Sequence, residues 1–226
     1  MVDSMETQAP SASVGDYLKA IWEISGAEAA STKDVAGRLS VSPASVTNMF
    51  ARLREMDLVE YERYRGASLS TRGWTEALRL VRRHRLIETF LMERLGYSWR
   101  DVHAEAERLE HTVSDEFTER LAEFLGHPGH DPHGDPIPTA EGILEPDPSF
   151  PLTEATEGRR VHIQKVGDDD DSVLEYLGDR GLIPGRTILV REIRTLDGVV
   201  TVEDMDGNFH SFGDTVAHQV FVRPAR

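Results

Sequence analysis

The stretch STKDVAGRLSVSPASVTNMF, residues 31–50, predicts two helices joined by a sharp break in the chain. Ser31 opens the first helix with a capping pattern, because a serine side chain can accept a hydrogen bond from an amide of the first turn. The chain then breaks at a Val-Ser-Pro sequence. Ser42 can cap the second helix, and Pro43 fits its first turn, where the missing amide hydrogen has no partner to lose. We expect this helix to continue to about Asp57.

The segments around these two helices complete a recognisable order. Residues 13–25 have apolar side chains at helical spacing, which predicts an earlier helix. Residues 58–70 alternate in polarity around Gly66, which predicts a short hairpin. Helix, helix, turn, helix and hairpin is the order of a winged helix-turn-helix, a DNA-binding module. The alternative is a small helical packing module whose polar face is only solvated.

The outward face of the third helix carries small polar side chains at its N-terminal end, which is the part that usually meets base edges. Arginines follow on the same helix and in the hairpin, where they suit phosphates or the minor groove. The predicted DNA-contacting residues are Ser42, Pro43, Ser45, Thr47, Asn48, Arg52, Arg54, Arg63 and Arg65.

The net charge of −15 opposes binding to nucleic acid, so the distribution of charge along the chain matters. Residues 31–73 hold seven basic and five acidic side chains, whereas residues 127–226 hold nine and nineteen. Any DNA binding must therefore come from a local basic patch within residues 31–73.

Composition also excludes several classes of protein. The chain has no cysteine, which rules out disulfides, thiolate metal sites and cysteine nucleophiles. No apolar run approaches the roughly 18 residues that suggest a membrane-spanning helix, and the N-terminus lacks a signal-peptide pattern. We therefore expect a soluble, cytoplasmic protein that has no membrane partner.

The rest of the chain predicts a helical region followed by strands. A helix over residues 71–95 is apolar on several sides, which indicates burial against a second copy of the chain. Residues 98–125 predict a further helical stretch, and residues 127–152, rich in proline, glycine and histidine, predict an irregular linker. The apolar stripe of residues 98–125 consists of Val102, Ala106, Leu109, Val113 and Phe117.

Five short strands, interrupted by one helix, predict a small barrel at the C-terminal end. The strands are Arg159–Val166, Thr187–Ile193, Val199–Glu203, Asn208–Phe212 and Val216–Val222, and the helix is Ser172–Arg180. Asp-Gly pairs mark two of the turns between them.

Four side chains with the chemistry of metal ligands share one helical face. They are His103, Glu107, Glu110 and His111, at positions i, i+4, i+7 and i+8. This spacing places them within an arc of roughly 100° beside the apolar stripe, so we expect them to be half-buried at the rim of the core. His84 and Glu88 form a second pair at i, i+4. Imidazole nitrogens and carboxylate oxygens suit a borderline or hard divalent cation.

Other candidates for metal binding have less support from the sequence. His127, His130 and His133 lie in the irregular segment, which offers no fixed scaffold. Asp16 points away from the apolar stripe of the first helix, where it is either solvated or in contact with another part of the protein.

Six segments occur in a specific order along the chain. They are DYLKAIWE (16–23), VSPASVT (41–47), YERYRG (61–66), RHRLIE (83–88), residues 103–111, and PHGDPIP (132–138). In this order they resemble the diphtheria-toxin-repressor family of metal-dependent transcriptional repressors, over nearly the whole chain. The resemblance implies an α+β multidomain fold. Its expected domains are a winged helix-turn-helix at 1–73, a helical metal-binding and dimerisation domain with its linker at 74–150, and an SH3-like (FeoA-like) barrel at 151–226.

The resemblance also implies two metal sites. The primary site would consist of Asp16, Glu107, Glu110 and His111. The ancillary site would consist of His84, Glu88 and His103, with Asp169 of the SH3-like domain as a further ligand.

The residues at the primary site bear on the identity of the metal. Iron-type members of the family carry methionine and cysteine at the positions of Asp16 and Glu107, whereas this chain has carboxylates at both, as manganese-type members do. Replacing sulfur with oxygen favours Mn(II), while Fe(II), Co(II), Ni(II), Zn(II) and Cd(II) are further candidates. Manganese-type members have glutamate at the position of Lys19, so their two-metal arrangement does not carry over unchanged.

The function that the resemblance implies is repression of metal-homeostasis genes. The protein would be a homodimer that binds a palindromic DNA operator when Mn(II) is bound, and it would have no small-molecule substrate. The alternative within this class is an Fe(II)-dependent repressor of iron uptake.

Proteins of other classes fit the sequence less well. A helical di-metal enzyme would require two Glu-x-x-His motifs, and Arg108 stands where the glutamate paired with His111 would be. A metal-storage or iron-delivery protein with an SH3-like module is a further alternative. We therefore expect no enzymatic activity.

Overall fold

The computed structural model describes residues 12–25, 29–167, 170–194 and 196–225. The first elements are α1 (Ala12–Ser25), α2 (Thr32–Arg38), α3 (Pro43–Glu55), β1 (Val59–Glu62), β2 (Gly66–Leu69), α4 (Thr71–Leu95), α5 (Val102–Glu110) and α6 (Asp115–Phe124). The later elements are β3 (Phe150–Pro151), β4 (Arg160–Val166), α7 (Asp171–Gly178), β5 (Thr187–Arg194), β6 (Val199–Asp204), β7 (Phe209–Gly213), α8 (Asp214–His218) and β8 (Val220–Pro224).

The chain forms two compact units. Of the described residues, those within 1–84, 110–113 and 138–144 form the N-terminal unit, and those within 85–109, 114–137 and 145–226 form the C-terminal unit. Within the described parts of the chain, every helix is too short or too polar to cross a lipid bilayer.

The N-terminal unit contains the winged helix-turn-helix, and its helix starts are those predicted from the sequence. The Ser31 side chain accepts a hydrogen bond from the amide of Asp34 at 3.1 Å, and Ser42 accepts one from Ser45 at the same distance. Leu18 and Ile21 of α1 lie in the same core as Phe50 of α3. The position of α1 is therefore tied by packing to that of the recognition helix.

The wing is an antiparallel hairpin of β1 and β2, in which Glu62 pairs with Gly66. Ala30, which precedes the N-cap of α2, extends this small sheet, because Ala30 and Ala67 exchange two backbone hydrogen bonds of 2.8 and 3.0 Å. Gly66 has a φ of +104°, and a Cβ there would lie only 2.3 Å from the carbonyl oxygen of Ala30. Glycine is therefore required both by the backbone angle and by the close approach of the chain.

The C-terminal unit contains an antiparallel sheet of six strands in the order β3-β8-β4-β5-β6-β7. One face of this sheet buries a continuous apolar core, to which α7 contributes Leu174 and Leu177 and α8 contributes Ala217. This core confirms the expected SH3-like region.

Two predicted elements are wrong in detail. Residues 98–125 form two helices, because Ser114 caps a new helix by accepting a hydrogen bond from the amide of Phe117 at 3.2 Å. His111 therefore lies beyond the end of α5. The predicted strand Val216–Val222 begins as α8, which places Ala217 in the core, and only its second half pairs as β8. A two-residue strand, β3, raises the number of strands to six.

Candidate metal centre

Three of the predicted primary ligands meet in the N-terminal unit. Nε2 of His111 lies 2.8 Å from Oδ1 of Asp16 and 3.5 Å from Oε1 of Glu110. One donor atom of each residue falls within 4.8 Å of the other two, a spacing compatible with a shared metal ion. Two carboxylate oxygens and one imidazole nitrogen form a donor set that fits a divalent cation. Asp16 is therefore in contact with a distant part of the chain, as one of the two sequence interpretations held.

Neighbouring residues pack closely around these three side chains. A Cβ at Gly15 of α1 would be in ordinary van der Waals contact with His111 Cε1 at 3.6 Å and in tighter contact with Leu80 Cδ2 at 3.1 Å. The last turn of α5 is fixed from α4, where Arg83 Nη1 donates to the carbonyl oxygen of Glu110 at 2.9 Å. Glu110 is completely buried, so its expected half-buried position at the rim is wrong.

Two basic side chains lie beside the buried carboxylate of Glu110. Nζ of Lys19 is 3.4 Å from both of its oxygens and 3.4 Å from Nδ1 of His84. His84 Nδ1 also makes a short hydrogen bond to Glu110 Oε2. Desolvating a carboxylate is costly unless charged and hydrogen-bonding partners compensate, and Lys19 and His84 provide both.

A second group of candidate ligands lies in the C-terminal unit. Nδ1 of His103 is 3.1 Å from Oε1 of Glu88, as the predicted ancillary pairing requires. Glu88 also groups with Asp131 and His133, and all three side chains are buried with one donor atom each within 4.8 Å of the others. Sequence reasoning did not single out Asp131, and it ranked His133 low because it assumed an unstructured loop.

The loop that carries Asp131 and His133 is in fact well supported. Oδ1 of Asp131 accepts hydrogen bonds of 2.9 Å from the amides of His133 and Asp135. The ring of His133 stacks on Trp99 with 5.3 Å between centroids, and its carbonyl oxygen accepts a bond from Val166 of β4 at 2.9 Å. The Asp-x-x-Gly-Asp-Pro turn chemistry was the available sequence signal for this order.

The electrostatics of this buried group favour a cation. Burial raises the pKa of Asp131 well above its ordinary value, and the carboxylates of Asp135 and Glu88 raise it further against the opposing effect of Arg85. Nδ1 of His133 has no hydrogen-bond partner among the described residues and lies 3.9 Å from Glu88 Oε2. A metal ion would stabilise the charged carboxylates and engage this nitrogen.

The remaining predicted ligands are either exposed at the surface or divided between the two units. His127 and His130 are exposed. His84 is in the N-terminal unit, whereas Glu88, His103 and Glu107 are in the C-terminal unit, so the complete primary and ancillary sets stay predictions. Nε2 of His103 lies 3.8 Å from Glu107 Oε1. Asp169 lies outside the described residues.

The structure exposes all nine predicted DNA-contacting residues. They are Ser42, Pro43, Ser45, Thr47, Asn48, Arg52, Arg54, Arg63 and Arg65. The guanidinium of Arg63 lies over the ring of Tyr64, which is 92% exposed at the tip of the wing. The recognition helix and the wing thus present polar and basic groups to solvent.

Three family models together match most of the chain. The model described as "Iron dependent repressor, N-terminal DNA binding domain" matches residues 11–67. The model described as "Iron dependent repressor, metal binding and dimerisation domain" matches residues 70–139, and a FeoA domain model matches residues 150–224.

Curated relatives carry the names of iron-dependent regulators. The chain is 33% identical over 172 residues to the iron-dependent repressor IdeR of Mycobacterium leprae, an alignment that covers 69% of this chain and 73% of that protein. It is 29% identical over 199 residues to the diphtheria toxin repressor of Corynebacterium jeikeium, covering 87% and 79% of the two chains.

Similar solved structures carry the names of manganese regulators. A manganese-dependent transcriptional repressor in complex with manganese superimposes with a TM-score of 0.88 at 36% identity, covering 94% of this chain and 100% of that one. The manganese regulator SloR superimposes with a TM-score of 0.77 at 36% identity, covering 96% and 100%. With its winged helix, its clustered candidate metal ligands and these relatives, the chain belongs to the diphtheria-toxin-repressor family of metal-dependent transcriptional repressors.

Proposed function

We propose that this protein is a Mn(II)-activated repressor that binds a palindromic DNA operator as a homodimer. The observation that carries the proposal is the cluster of Asp16, Glu110 and His111, which offers two oxygen donors and one nitrogen donor. No sulfur donor exists in the cluster, and oxygen-rich donor sets suit Mn(II).

The cluster connects metal binding to the position of the DNA-binding module. When bound, the ion would supply a positive charge shared by α1 and the segment after α5. Without it, the carboxylate of Asp16 would be linked to this segment only through its 2.8 Å contact with His111 Nε2 and not through a shared cation. Because Leu18 and Ile21 of α1 pack in the core of the helix-turn-helix, fixing Asp16 also fixes the recognition helix.

The expected consequence is a shift in population toward the DNA-binding conformation. Two recognition helices in a dimer must lie about 34 Å apart to enter successive major grooves. Metal binding favours the conformation that meets this distance, and a coupling of about 1–3 kcal/mol changes DNA affinity roughly 5–150-fold.

Exposed apolar side chains in the C-terminal unit support the homodimer. Phe117 and Phe124 of α6 are 46% and 62% exposed, although Phe117 belongs to the apolar stripe predicted for this region. Large exposed aromatic side chains on one helix are typical of a surface that packs against another chain.

Activation by Fe(II) is the alternative, and the names of the relatives do not decide between the two metals. The chain is similar both to proteins named iron-dependent and to proteins named manganese-dependent. The donor set favours manganese, whereas zinc and cadmium complexes of the similar protein ScaR support binding of other divalent ions as well. Co(II) and Ni(II) bind most such sites tightly.

A DNA-binding titration tests the proposal. The full chain, stripped of metal with a chelator, is titrated with Mn(II) or Fe(II) under anaerobic conditions, and its affinity for a DNA site selected from its own upstream region is measured. We expect Mn(II) to raise affinity at least about fivefold. His111→Ala should remove this response, whereas His218→Ala, which changes an exposed histidine paired with Asp214, should retain it. Tight, sequence-specific binding that survives chelation would contradict the proposal.

A further inference from the structure

The tip of the wing holds an aromatic residue in a backbone conformation that favours glycine or asparagine. The amide of Arg65 donates to the carbonyl oxygen of Glu62 at 3.0 Å, which closes a four-residue β-turn between β1 and β2. Tyr64 is the third residue of this turn and has a φ of +74°. Turns with a positive φ at that position normally carry glycine or asparagine there, because a residue with a larger side chain is strained in the left-handed region. The tyrosine therefore lowers the stability of a turn that does not itself require an aromatic residue.

Packing within the wing does not explain the tyrosine either. Tyr64 is 92% exposed, so the protein covers little of its surface. The aromatic contact between the hairpin and the helical core is made instead by Tyr61 of β1, whose ring centroid lies 5.3 Å from that of Phe50. A large aromatic side chain left in water at a strained position is a local exception of the kind that occurs at functional sites.

The charges around Tyr64 indicate the kind of partner that it would meet. Arg63 and Arg65 flank it in the chain, and both are exposed. The guanidinium of Arg63 lies over the tyrosine ring, 5.2 Å from its centroid. Arg65 pairs with Glu62 at 3.2 Å, but an ion pair this exposed is weak and leaves the arginine accessible to a phosphate. Two cations beside an exposed phenol match a DNA backbone, in which phosphates alternate with less polar deoxyribose rings.

We propose that Tyr64 contacts DNA from the tip of the wing, with its hydroxyl donating a hydrogen bond to a phosphate oxygen and its ring packing against the neighbouring deoxyribose. The inference rests on the proposed DNA-binding function. Tyrosine hydroxyls are among the groups that contact phosphates in protein–DNA complexes. Because the turn fixes the backbone, only the two side-chain torsions of the tyrosine are ordered when DNA binds. Such a contact adds affinity without reading sequence, since every phosphate offers the same acceptor.

Two variants of the full chain separate the hydroxyl from the ring. Tyr64→Phe removes only the hydroxyl and should weaken DNA binding about 3–10-fold, which corresponds to the loss of one hydrogen bond. Tyr64→Asn also removes the ring and suits a positive φ, so it should bind DNA at least as weakly while its free energy of unfolding in urea stays equal or rises. Both losses should appear on the selected DNA site and on an unrelated duplex. Tyr97→Asn changes an exposed tyrosine of the C-terminal unit and should bind DNA as the wild type does.

The dependence of DNA affinity on salt distinguishes a direct contact from an effect through Arg63. Tyr64 is uncharged, so both variants should keep the wild-type slope of log affinity against log salt concentration, whereas loss of an arginine–phosphate contact would reduce it by about one unit. A reduced slope in either variant would show that Tyr64 acts only through Arg63 and would overturn the inference.

The response to Mn(II) keeps this inference separate from the proposed function. If both Tyr64 variants bind DNA as tightly as the wild type while Mn(II) still raises affinity, the Tyr64 inference is wrong and the proposed function stands. If Mn(II) does not raise the affinity of the wild type, the proposed function is wrong, and the losses in the Tyr64 variants, measured without metal, still decide whether Tyr64 contacts DNA.

Discussion

At the scale of single residues, Asp16 matters most for the proposed metal site. It is the donor that we propose for α1, and its Oδ1 lies 2.8 Å from His111 Nε2. Sequence reasoning predicted Glu107 as a second carboxylate in the same set. Both positions carry oxygen in this chain, and softer metals prefer sulfur.

Changing both carboxylates should therefore change the metal preference. We predict that Asp16→Met combined with Glu107→Cys shifts activation from Mn(II) toward Fe(II) and other softer ions. Anaerobic titrations of DNA binding with the two metals, on the wild type and on the double variant, measure the shift. An unchanged ratio between the two activation midpoints would show that these positions do not select the metal.

Residue-level contacts were only partly predictable. The spacing of Glu110 and His111 was visible in the sequence, and the family resemblance added Asp16. The contact between Lys19 and Glu110 was not predictable, because it joins side chains 91 positions apart and no periodicity reports on such a pair. Asp131 was missed because its loop lacks the periodicity of a helix or strand, and the turn signal in its sequence was not used.

At the scale of elements, the wing depends on one glycine. Gly66 begins β2 with a φ of +104°, at a point where a Cβ would lie 2.3 Å from the carbonyl oxygen of Ala30. Both the backbone angle and the close contact exclude a larger residue. The pairing of Ala30 with Ala67, which joins the wing to the chain before α2, depends on that closeness.

We predict that Gly66→Ala destabilises the protein by about 2 kcal/mol or more, since strain at a positive φ and a backbone clash add together. Urea unfolding monitored by circular dichroism gives the free energy of unfolding. Gly37→Ala is the matched control, because a Cβ at that helical position meets nothing within 4 Å. It should be neutral or stabilising by up to about 1 kcal/mol. Equal stability of the two variants would contradict the role assigned to Gly66.

Elements whose ends carry local signals were predicted well. Ser31, Ser42 and Pro43 act within their own first turns, so a short stretch of sequence was enough to place α2 and α3. The break between α5 and α6 was missed because the apolar stripe continues across it, and the capping by Ser114 was overlooked. The helix α8 was missed because its valine and threonine favour strands, whereas burial of Ala217 in the core decides the outcome.

At the scale of the whole molecule, a net charge of −15 must be compatible with binding to a polyanion. Phosphates respond mainly to charges within about 8–10 Å at physiological salt, because more distant charges are screened. We therefore propose that the exposed arginines of the recognition helix and the wing act on DNA, while the acidic remainder of the chain contributes little beyond general repulsion. The strength of binding should therefore follow local charge and not net charge.

The salt dependence of DNA affinity distinguishes the contribution of local charge from that of net charge. Each phosphate neutralised by an arginine adds about 0.9 to the slope of log affinity against log salt concentration, so Arg63→Ala should reduce the magnitude of that slope by about one unit. It should weaken binding to all sequences alike, whereas changes at Ser45 or Asn48 should alter which sequences are preferred.

Arg194→Ala is the matched control, because it removes the same charge from the end of β5 and should leave the slope unchanged. Fluorescence anisotropy with Mn(II) present, repeated over a range of salt concentrations, supplies the slopes. If Arg63→Ala and Arg194→Ala changed the slope equally, net charge would control binding, and the wing would have no direct contact with phosphate.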